Sequence, residues 1–195
     1  MTNNFWREIW DSKGRSDSND LLFLDGYEHL TQRFDSKEIS DRILQELNAS
    51  AGDTILEVGC GAGFLARELQ NFKYIGVDYS GPIIEKHKEL FPHHNVMVSE
   101  ASSLPFADDA FDHVFCYGLF QYLPDRHYAD KTIQEMERVC KGGIFLGDLK
   151  SEKTRDTHFV YPAPELQEQG FEISACMFDY NDVERFNAFK CKGKL

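Results

Sequence analysis

The segment Ile55-Leu56-Glu57-Val58-Gly59-Cys60-Gly61-Ala62-Gly63-Phe64 is an apolar run followed at once by three glycines at alternate positions. A short apolar run that stops at glycines predicts a buried strand and a tight turn. Residues 64–69 then return to helical spacing. We therefore predict a strand, a turn and a helix, which together open a parallel βαβ unit.

The spacing of these glycines indicates the kind of ligand. In dinucleotide-binding proteins the glycines follow the pattern G-x-G-x-x-G, and the pyrophosphate lies on the N-terminus of the helix. Here the pattern is G-x-G-x-G, Phe64 stands at the third glycine position, and Glu57 ends the strand before the loop. A carboxylate at that point repels a pyrophosphate and suits a cationic ligand.

A second acid, Asp78, follows the next predicted strand at residues 74–77, nineteen residues after Gly59. A carboxylate at this position can accept hydrogen bonds from both hydroxyls of a ribose. Taken singly, Glu57 is equally compatible with a surface position and Asp78 with a turn. Together, at this spacing, they indicate a ligand with a ribose, a cationic or neutral linker and no pyrophosphate.

The rest of the chain continues to alternate between helical and strand patterns. We predict helices at residues 36–48, at 82–90 and in a segment ending at Cys140, and strands at 95–98, 111–117 and 143–147. Two further strand-like runs, 171–178 and 185–191, are separated by a link too short for a crossover, so we expect them to be antiparallel. The pattern predicts an α/β sheet that is mostly parallel.

Four segments occur in a characteristic order: ILEVGCGAGFL (55–65), YIGVDYS (74–80), SEASSLPFADDAFDHVFCYGLFQYLPD (99–125) and ERVCKGGIFLGD (137–148). In this order they resemble the class I S-adenosylmethionine-dependent methyltransferases, particularly the broad small-molecule group. The resemblance covers residues 53–150. It implies a Rossmann-like sheet of seven strands with an antiparallel C-terminal strand and helices on both faces, and S-adenosyl-L-methionine as the cofactor.

The resemblance also implies roles for individual cofactor-binding residues. They are Glu57 at the methionine amino group, Gly59, Cys60, Gly61 and Gly63 in the cofactor loop, Asp78 at the ribose, Tyr79 against the adenine, Glu100 and Ala101 at the adenine amino group, and Tyr117 and Gly118 at the methionine end and the methyl group. The chain departs from the family pattern in having Glu100 for an aspartate, Gln121 for a histidine, and a shortened turn at residues 141–143.

The reaction implied by this resemblance is methyl transfer from a sulfonium by in-line displacement, which depends mainly on how the acceptor is positioned. A hydroxyl acceptor would also need a general base. The candidates are His29, His127, Tyr27, Tyr122 and Asp25. Of these we assign catalysis to His29 and Tyr27, with His29 the better base; the alternative is that both pack or cap the N-terminal segment.

Residues 1–35 form a polar, broken segment that differs from the rest of the chain. Its aromatic residues Phe5, Trp6 and Trp10 and the apolar run at 21–24 are too apolar to stay in water, whereas the stretch between them is too polar for a core. We predict an N-terminal arm or lid over the site at 1–35, which sets acceptor specificity, and a methyltransferase domain at 36–195.

Composition narrows the choice of partners. The 195 residues carry a net charge of -12, which repels nucleic-acid backbones and anionic membranes. No apolar stretch is long enough to span a membrane and the first ten residues include charges, so we predict a cytoplasmic protein. The five cysteines form no CxxC pair and the histidines show no metal-ligand spacing, so we predict no metal site.

The function predicted from the sequence is therefore S-adenosylmethionine-dependent methylation of a small-molecule acceptor, with no nucleic-acid or membrane partner. Two alternatives stay open: a non-catalytic S-adenosylmethionine-binding module and, with less support, an NAD-dependent oxidoreductase. The sequence leaves open the identity of the acceptor, whether oxygen, nitrogen, carbon or sulfur is methylated, and the oligomeric state.

Overall fold

The computed structural model describes residues 4–28, 35–176 and 184–192. The strands in these ranges are β1 (Thr54–Val58), β2 (Lys73–Asp78), β3 (Asn95–Val98), β4 (Phe111–Tyr117), β5 (Cys140–Lys150), β6 (Glu172–Ala175) and β7 (Arg185–Cys191). The α-helices are α1 (Asn4–Gly14), α2 (Leu21–Leu24), α3 (Ser36–Leu47), α4 (Gly81–Leu90), α5 (Arg126–Val139) and α6 (Ala163–Glu168).

The seven described strands form one sheet in the order β3-β2-β1-β4-β5-β7-β6. Strands β1 to β5 pair in parallel, whereas β7 is antiparallel to both of its neighbours. The reversal of strand order beside β1 places the carboxyl ends of β1 and β4 at a crevice, where open α/β sheets bind their ligands. The predicted sheet, with its antiparallel C-terminal strand, is confirmed.

Neighbouring residues of the central strands face opposite sides of the sheet, as the two-residue period of a strand requires. Ile55 and Phe115 pack in a cluster with the apolar residues of α3. Leu56 and Val114 pack in a second cluster with the apolar residues of α5. The central strands are therefore covered on both faces, and the predicted helices on both faces are confirmed.

The helix predicted at residues 64–69 is wrong. The structure has only a 3₁₀ turn there, Ala66–Glu68. Gly63 still has a left-handed backbone, with φ of +103°, and β2 begins already at Lys73. Residues 64–72 are fewer than the mean helix of about 11 residues, and part of them must turn the chain into the next strand.

The junction between α5 and β5 also differs from the prediction. Helix α5 ends at Val139 and β5 begins at Cys140, so the strand predicted at 143–147 starts earlier and extends to Lys150. The shortened turn at residues 141–143 therefore lies inside the strand. A Cβ on Gly142 would lie 2.3 Å from the carbonyl oxygen of Asp112, so the strands approach too closely for a side chain there.

The described part of the N-terminal arm packs on the first turn of α4. A Cβ on Gly14, at the end of α1, would lie 2.4 Å from the carbonyl carbon of Pro82. The hydroxyl of Ser80, which caps α4, donates to Asp11 Oδ1 at 2.6 Å. These contacts hold α1 beside the loop that follows β2. The division into a lid and a catalytic domain stays a prediction.

The helices in the described ranges are short. The longest, α5, has 14 residues, whereas a membrane span needs about 20. In these ranges no helix has the length and apolar character needed to cross a membrane.

Gly14→Ala should loosen the arm. The new methyl group would meet three backbone atoms of Pro82 and Ile83 within 2.7 Å, and backbone cannot move aside as a flexible side chain can. We expect a loss of about 1–3 kcal/mol in the free energy of unfolding, measured by urea denaturation, and faster tryptic cleavage after Lys13 and Arg15. Gly81→Ala is the matched control, because a Cβ there meets nothing within 4 Å. Equal losses in the two variants would contradict this packing.

Candidate functional site

A cavity of about 380 Å³ lies at the carboxyl ends of β1, β2 and β4. Its volume falls in the range of about 300–1,000 Å³ that is typical of small-ligand sites. All the predicted cofactor-binding residues except Gly63 border this cavity: Glu57, Gly59, Cys60, Gly61, Asp78, Tyr79, Glu100, Ala101, Tyr117 and Gly118. Tyr27 also borders it, whereas His29 lies outside the described residues.

The loop after β1 presents bare backbone to this cavity. Gly59 and Gly61 have φ values of +78° and +51°, a region that other residues rarely adopt. The amides of Gly59 and Cys60 both donate to the carbonyl oxygen of Val77, at 2.8 and 3.0 Å. The loop is thus bound to the end of β2, and its backbone lies open to a ligand.

Gly63 lies in the predicted loop but, unlike Gly59 and Gly61, does not border the cavity. A Cβ on Gly63 would lie 3.0 Å from ring atoms of His87 and of Phe91. This glycine therefore permits close packing of the loop against α4, and its part in binding the cofactor stays a prediction.

Glu57 is buried at the end of β1, with 3% of the residue exposed. Its Oε2 accepts a hydrogen bond of 2.8 Å from the hydroxyl of Tyr74. Removal from water raises the pKa of this carboxyl well above its ordinary value, and the nearby Asp25 and Asp78 raise it further. An ionised Glu57 is therefore unfavourable until a positive charge enters the cavity.

Asp78, the last residue of β2, is partly buried. Its Oδ1 accepts from the amide of Ser80 at 2.9 Å, and its Oδ2 accepts from the amide of Gly61 at 3.2 Å. Burial raises the pKa of Asp78 to about 6, although these two bonds oppose the increase. Each carboxylate oxygen has a second lone pair for a further donor, such as a ligand hydroxyl.

Asp25 brings a third carboxylate into the cavity from the N-terminal arm. Its Oδ1 accepts from the amide of Ala62 at 2.6 Å and its Oδ2 from the amide of Phe64 at 2.9 Å. Burial raises the pKa of Asp25 to about 7, and the charge of Asp78 adds to this shift. Sequence reasoning named Asp25 only as a possible base, since no local pattern connects it with a loop 37 residues away.

One end of the cavity combines an aromatic ring with a chain of charged groups. Arg7 of α1 lies over the ring of Tyr79, with its guanidinium carbon 4.5 Å from the ring centroid. Glu100 accepts from Arg7 Nη2 at 2.5 Å and from the Tyr128 hydroxyl at 2.6 Å. Both oxygens of Glu100 are therefore already hydrogen-bonded, and the sequence predicted neither Arg7 nor Tyr128.

A second group of residues at the cavity forms an aromatic wall. Trp6 and Trp10 each contact the ring of Tyr122 edge-on, with centroids 4.7 and 5.1 Å apart. Trp6 stacks on His158 at 5.4 Å and donates its indole N–H to the carbonyl oxygen of Thr157. This wall joins α1 to the segment after β5; the sequence placed Trp6 and Trp10 in a lid over the site but named none of their partners.

The hydroxyl of Tyr27 stands close to the loop after β4. A Cβ on Gly118 would lie 2.8 Å from this oxygen. Gln121, at the family's histidine position, is buried beneath the same loop and donates to the carbonyl oxygen of Gly118 at 3.4 Å. Tyr122 borders the cavity, whereas the fifth base candidate, His127, lies in the first turn of α5 and does not.

Three buried or partly buried carboxyl groups therefore surround one cavity that has bare backbone on one side and aromatic rings on the other. Such a site suits a ligand that carries a positive charge, hydroxyl groups and a flat ring. Within the described ranges, no group of three or more His, Cys, Asp and Glu side chains is placed to hold a metal ion.

Comparison with known proteins gives a consistent picture. Residues 56–146 match the family model described as "Methyltransferase domain". The chain is 28% identical over 109 residues to the human probable tRNA methyltransferase 9B, an alignment that covers 55% of this chain and 24% of that protein. It is 31% identical over 118 residues to malonyl-[acyl-carrier protein] O-methyltransferase 1 of Coxiella burnetii, covering 56% of this chain and 39% of that one. The chain thus spans less than half of either relative.

The fold is shared with solved structures. The magnesium protoporphyrin IX methyltransferase of Synechocystis PCC 6803, solved with bound S-adenosylmethionine, superimposes with a TM-score of 0.66. That comparison covers 98% of this chain and 93% of the other at 14% sequence identity. This likeness shows that the two chains share a fold.

The carboxyl cluster predicts a pH dependence of stability. Asp25 and Asp78 have pKa values of about 7 and 6, above their ordinary 3.8. The folded protein therefore holds these protons more tightly than the unfolded chain, so the cluster's contribution to stability is full below pH 4 and is lost as pH rises to 7. Asp78→Asn should reduce this loss by about 1 kcal/mol, after discounting for its partial exposure.

Urea denaturation at pH 5 and at pH 7.5 measures this effect. Asp41→Asn, at an exposed position on α3, is the control and should keep the wild-type dependence. If Asp78→Asn lost as much stability over this interval as the wild type, the carboxyl cluster would not be the cause.

Proposed function

We propose that this chain, whose residues 56–146 match the model described as "Methyltransferase domain", is a class I S-adenosylmethionine-dependent methyltransferase that transfers a methyl group from S-adenosyl-L-methionine to a small-molecule acceptor. The observation that carries this proposal is the cavity where the glycine loop lies between Glu57 and Asp78. The two acids stand at the ends of adjacent parallel strands, β1 and β2.

The residues around the cavity fit this cofactor. The buried Glu57 would receive the ammonium group, and Asp78 would accept bonds from the ribose hydroxyls. The bare backbone at Gly59, Cys60 and Gly61 leaves room for the methionine portion, and Gly63 supports the loop from behind. On the adenine side, the ring of Tyr79 and the edge formed by Glu100 and Ala101 would hold the base, and Tyr117 and Gly118 would lie along the methionine end.

When bound, the cofactor supplies a methyl group that is already activated by its sulfonium. The task left to the chain is to hold an acceptor atom in line with that methyl group and to keep water out. The aromatic wall of Trp6, Trp10 and Tyr122 is suited to both, because it encloses the cavity with rigid apolar surface. We assign the choice of acceptor to this wall and to the arm that carries it.

A hydroxyl acceptor would lose its proton to a nearby base. Tyr27 lies beside Gly118, at the end of the cavity assigned to the methyl group. His29, two residues along the same segment, is our first candidate for the base, with Tyr27 as its partner or substitute. Both assignments stay predictions.

A small-molecule acceptor is supported by the net charge of -12, which opposes binding to a polyanion. The relatives do not decide this point, since one is named as a tRNA methyltransferase and another as an O-methyltransferase of a carrier-protein substrate. An NAD-dependent oxidoreductase is disfavoured by Glu57, whose buried carboxyl would face a pyrophosphate. The cytoplasmic location stays a prediction as well.

S-adenosylhomocysteine should stabilise the protein. At 100 times its dissociation constant, a ligand that binds only the folded state adds about 2.7 kcal/mol, which raises the melting temperature of a chain this size by roughly 5–10 °C. Differential scanning fluorimetry measures the shift. NAD should give none, and Asp78→Asn should reduce the shift while Asp41→Asn keeps it. A shift with NAD and none with S-adenosylhomocysteine would overturn the cofactor assignment.

Turnover separates an enzyme from a binding module. We expect S-adenosylmethionine to be converted to S-adenosylhomocysteine with at least one member of a panel of phenols, carboxylic acids, amines and thiols, and not with unmodified tRNA. If the active acceptor is a hydroxyl, His29→Ala should lower turnover about a hundredfold, the lower end of the usual effect of a general base.

Tyr27→Phe is the companion variant, and it distinguishes the two candidate bases. Full activity in both variants would leave positioning as the whole mechanism. Tight binding of the cofactor without any product would instead identify a non-catalytic module, and turnover with tRNA alone would overturn the small-molecule acceptor.

A further inference from the structure

Asp25 makes the most direct contact between the N-terminal arm and the cofactor loop. The residue belongs to neither the sheet nor the glycine motif, yet its two carboxylate oxygens accept from two amides of that loop, Ala62 at 2.6 Å and Phe64 at 2.9 Å. A neutral serine or asparagine offers a single oxygen. A carboxylate has two acceptor oxygens, so it can accept a hydrogen bond from each of the two amides.

The loop is shaped to admit this carboxylate. A Cβ on Gly61 would lie 2.2 Å from Asp25 Oδ1 and 2.8 Å from its carboxyl carbon. Both distances are too short for a Cβ and an atom that is not bonded to it. Gly61 has no side chain at the point where Asp25 enters. The glycine and the acid, 36 positions apart in the chain, fit each other.

The loop is held from the opposite side by the domain itself. The amide of Gly61 donates to Asp78 Oδ2 at 3.2 Å, and its carbonyl oxygen lies 2.9 Å from Nδ1 of the buried His87. Asp78 and His87 thus fix the middle of the loop, and Asp25 fixes the residues that follow. Without Asp25, Ala62 and Phe64 would lose the partners of their amides.

Asp25 is in turn held by the fold of the arm. It ends the short helix α2, and its own amide donates to the carbonyl oxygen of Leu21 at 3.0 Å. Lys13 of α1 donates to the carbonyl oxygen of Phe23 at 2.6 Å and pairs with Glu28 at 2.9 Å. The position of the carboxylate therefore depends on α1 and α2 being docked.

We propose that Asp25 is a positioning residue that holds the cofactor loop in its binding shape, so that the N-terminal arm and the cofactor site form a single unit. The proposal rests on the proposed function, because it takes the loop at residues 59–64 to be the cofactor loop. It gives the arm a part in binding the cofactor as well as the acceptor.

The placement is electrostatically unfavourable, which supports a role beyond packing. Desolvation raises the pKa of Asp25 to about 7, and its neighbour Asp78 has the same sign of charge. A buried acid beside another acid reduces stability on its own. Such groups are typical of sites whose shape is maintained for a ligand.

Asp25→Asn and Asp25→Ala test the proposal. Asparagine keeps the size of the side chain and one acceptor oxygen, whereas alanine removes both acceptors. We expect the dissociation constant for S-adenosylhomocysteine, measured by calorimetry, to rise tenfold or more in Asp25→Ala and by less in Asp25→Asn. Asp17→Asn is the matched control on the same segment, because Asp17 is an exposed acid between α1 and α2, and the affinity should stay at the wild-type value.

Hydrogen exchange of the ligand-free protein supplies a local readout that a general loss of stability would not give. In Asp25→Ala the amides of Ala62 and Phe64 should both exchange at least tenfold faster, and in Asp25→Asn the amide that loses its acceptor should do so, while amides in β1 and β4 keep their rates. Gly61→Ala adds a steric test: it should weaken binding strongly in the wild type and much less in the Asp25→Ala background, where the clash is absent.

The outcomes separate the two proposals. Wild-type affinity together with wild-type exchange at Ala62 and Phe64 in a folded Asp25→Ala protein would overturn the role of Asp25. If Asp25→Ala did not fold, the same result in Asp25→Asn would overturn it. Failure of the wild type to bind S-adenosylhomocysteine would overturn the proposed function, and the exchange rates would still decide whether Asp25 holds the loop.

Discussion

The amides of Gly59 and Cys60 share one acceptor, the carbonyl oxygen of Val77, and the rest of the site depends on this turn. It bends the chain across the end of β2 immediately after β1. As a result Glu57, which precedes the turn, and Asp78, which follows Val77, lie side by side at one edge of the sheet. The turn favours a glycine at position 59, because the backbone there is in the left-handed region.

The acids at this edge oppose the stability of the protein that contains them. The pKa values of Asp25, Glu57 and Asp78 are all raised by burial; the charge of Asp78 also raises the pKa of Asp25, and both of these acids raise the pKa of Glu57. Asp112, at the opposite end of the same sheet, shows the contrast: two bonds from Thr54 hold the pKa of its carboxyl well below the ordinary value. The charge of Asp112 is thus stabilised by hydrogen bonds within the fold. The charges of the carboxyl cluster need a positively charged ligand to stabilise them.

The sheet and most of the site were predictable from the sequence because their signals are local. The strand 111–117 was predicted to the residue, since its apolar residues 114–117 lie in a chain that alternates helical and strand patterns. The helix at 64–69 failed because spacing alone ignores how soon the next strand begins. Gly63 was placed in its loop, but its close packing against His87 and Phe91 had no local signal. Arg7 and Asp25 had no local signal at all, since their partners lie far along the chain.

The bond from the Trp6 indole to the carbonyl oxygen of Thr157 joins residues 151 positions apart. During synthesis Trp6 and Trp10 are made before β4, β5 and the segment after them, so they must stay unburied until those partners follow. Closing so long a loop is entropically expensive and slow. The arm is thus made well before the residues it packs against, and its aromatic residues are a temporary exposed patch that a folding chain must protect from aggregation.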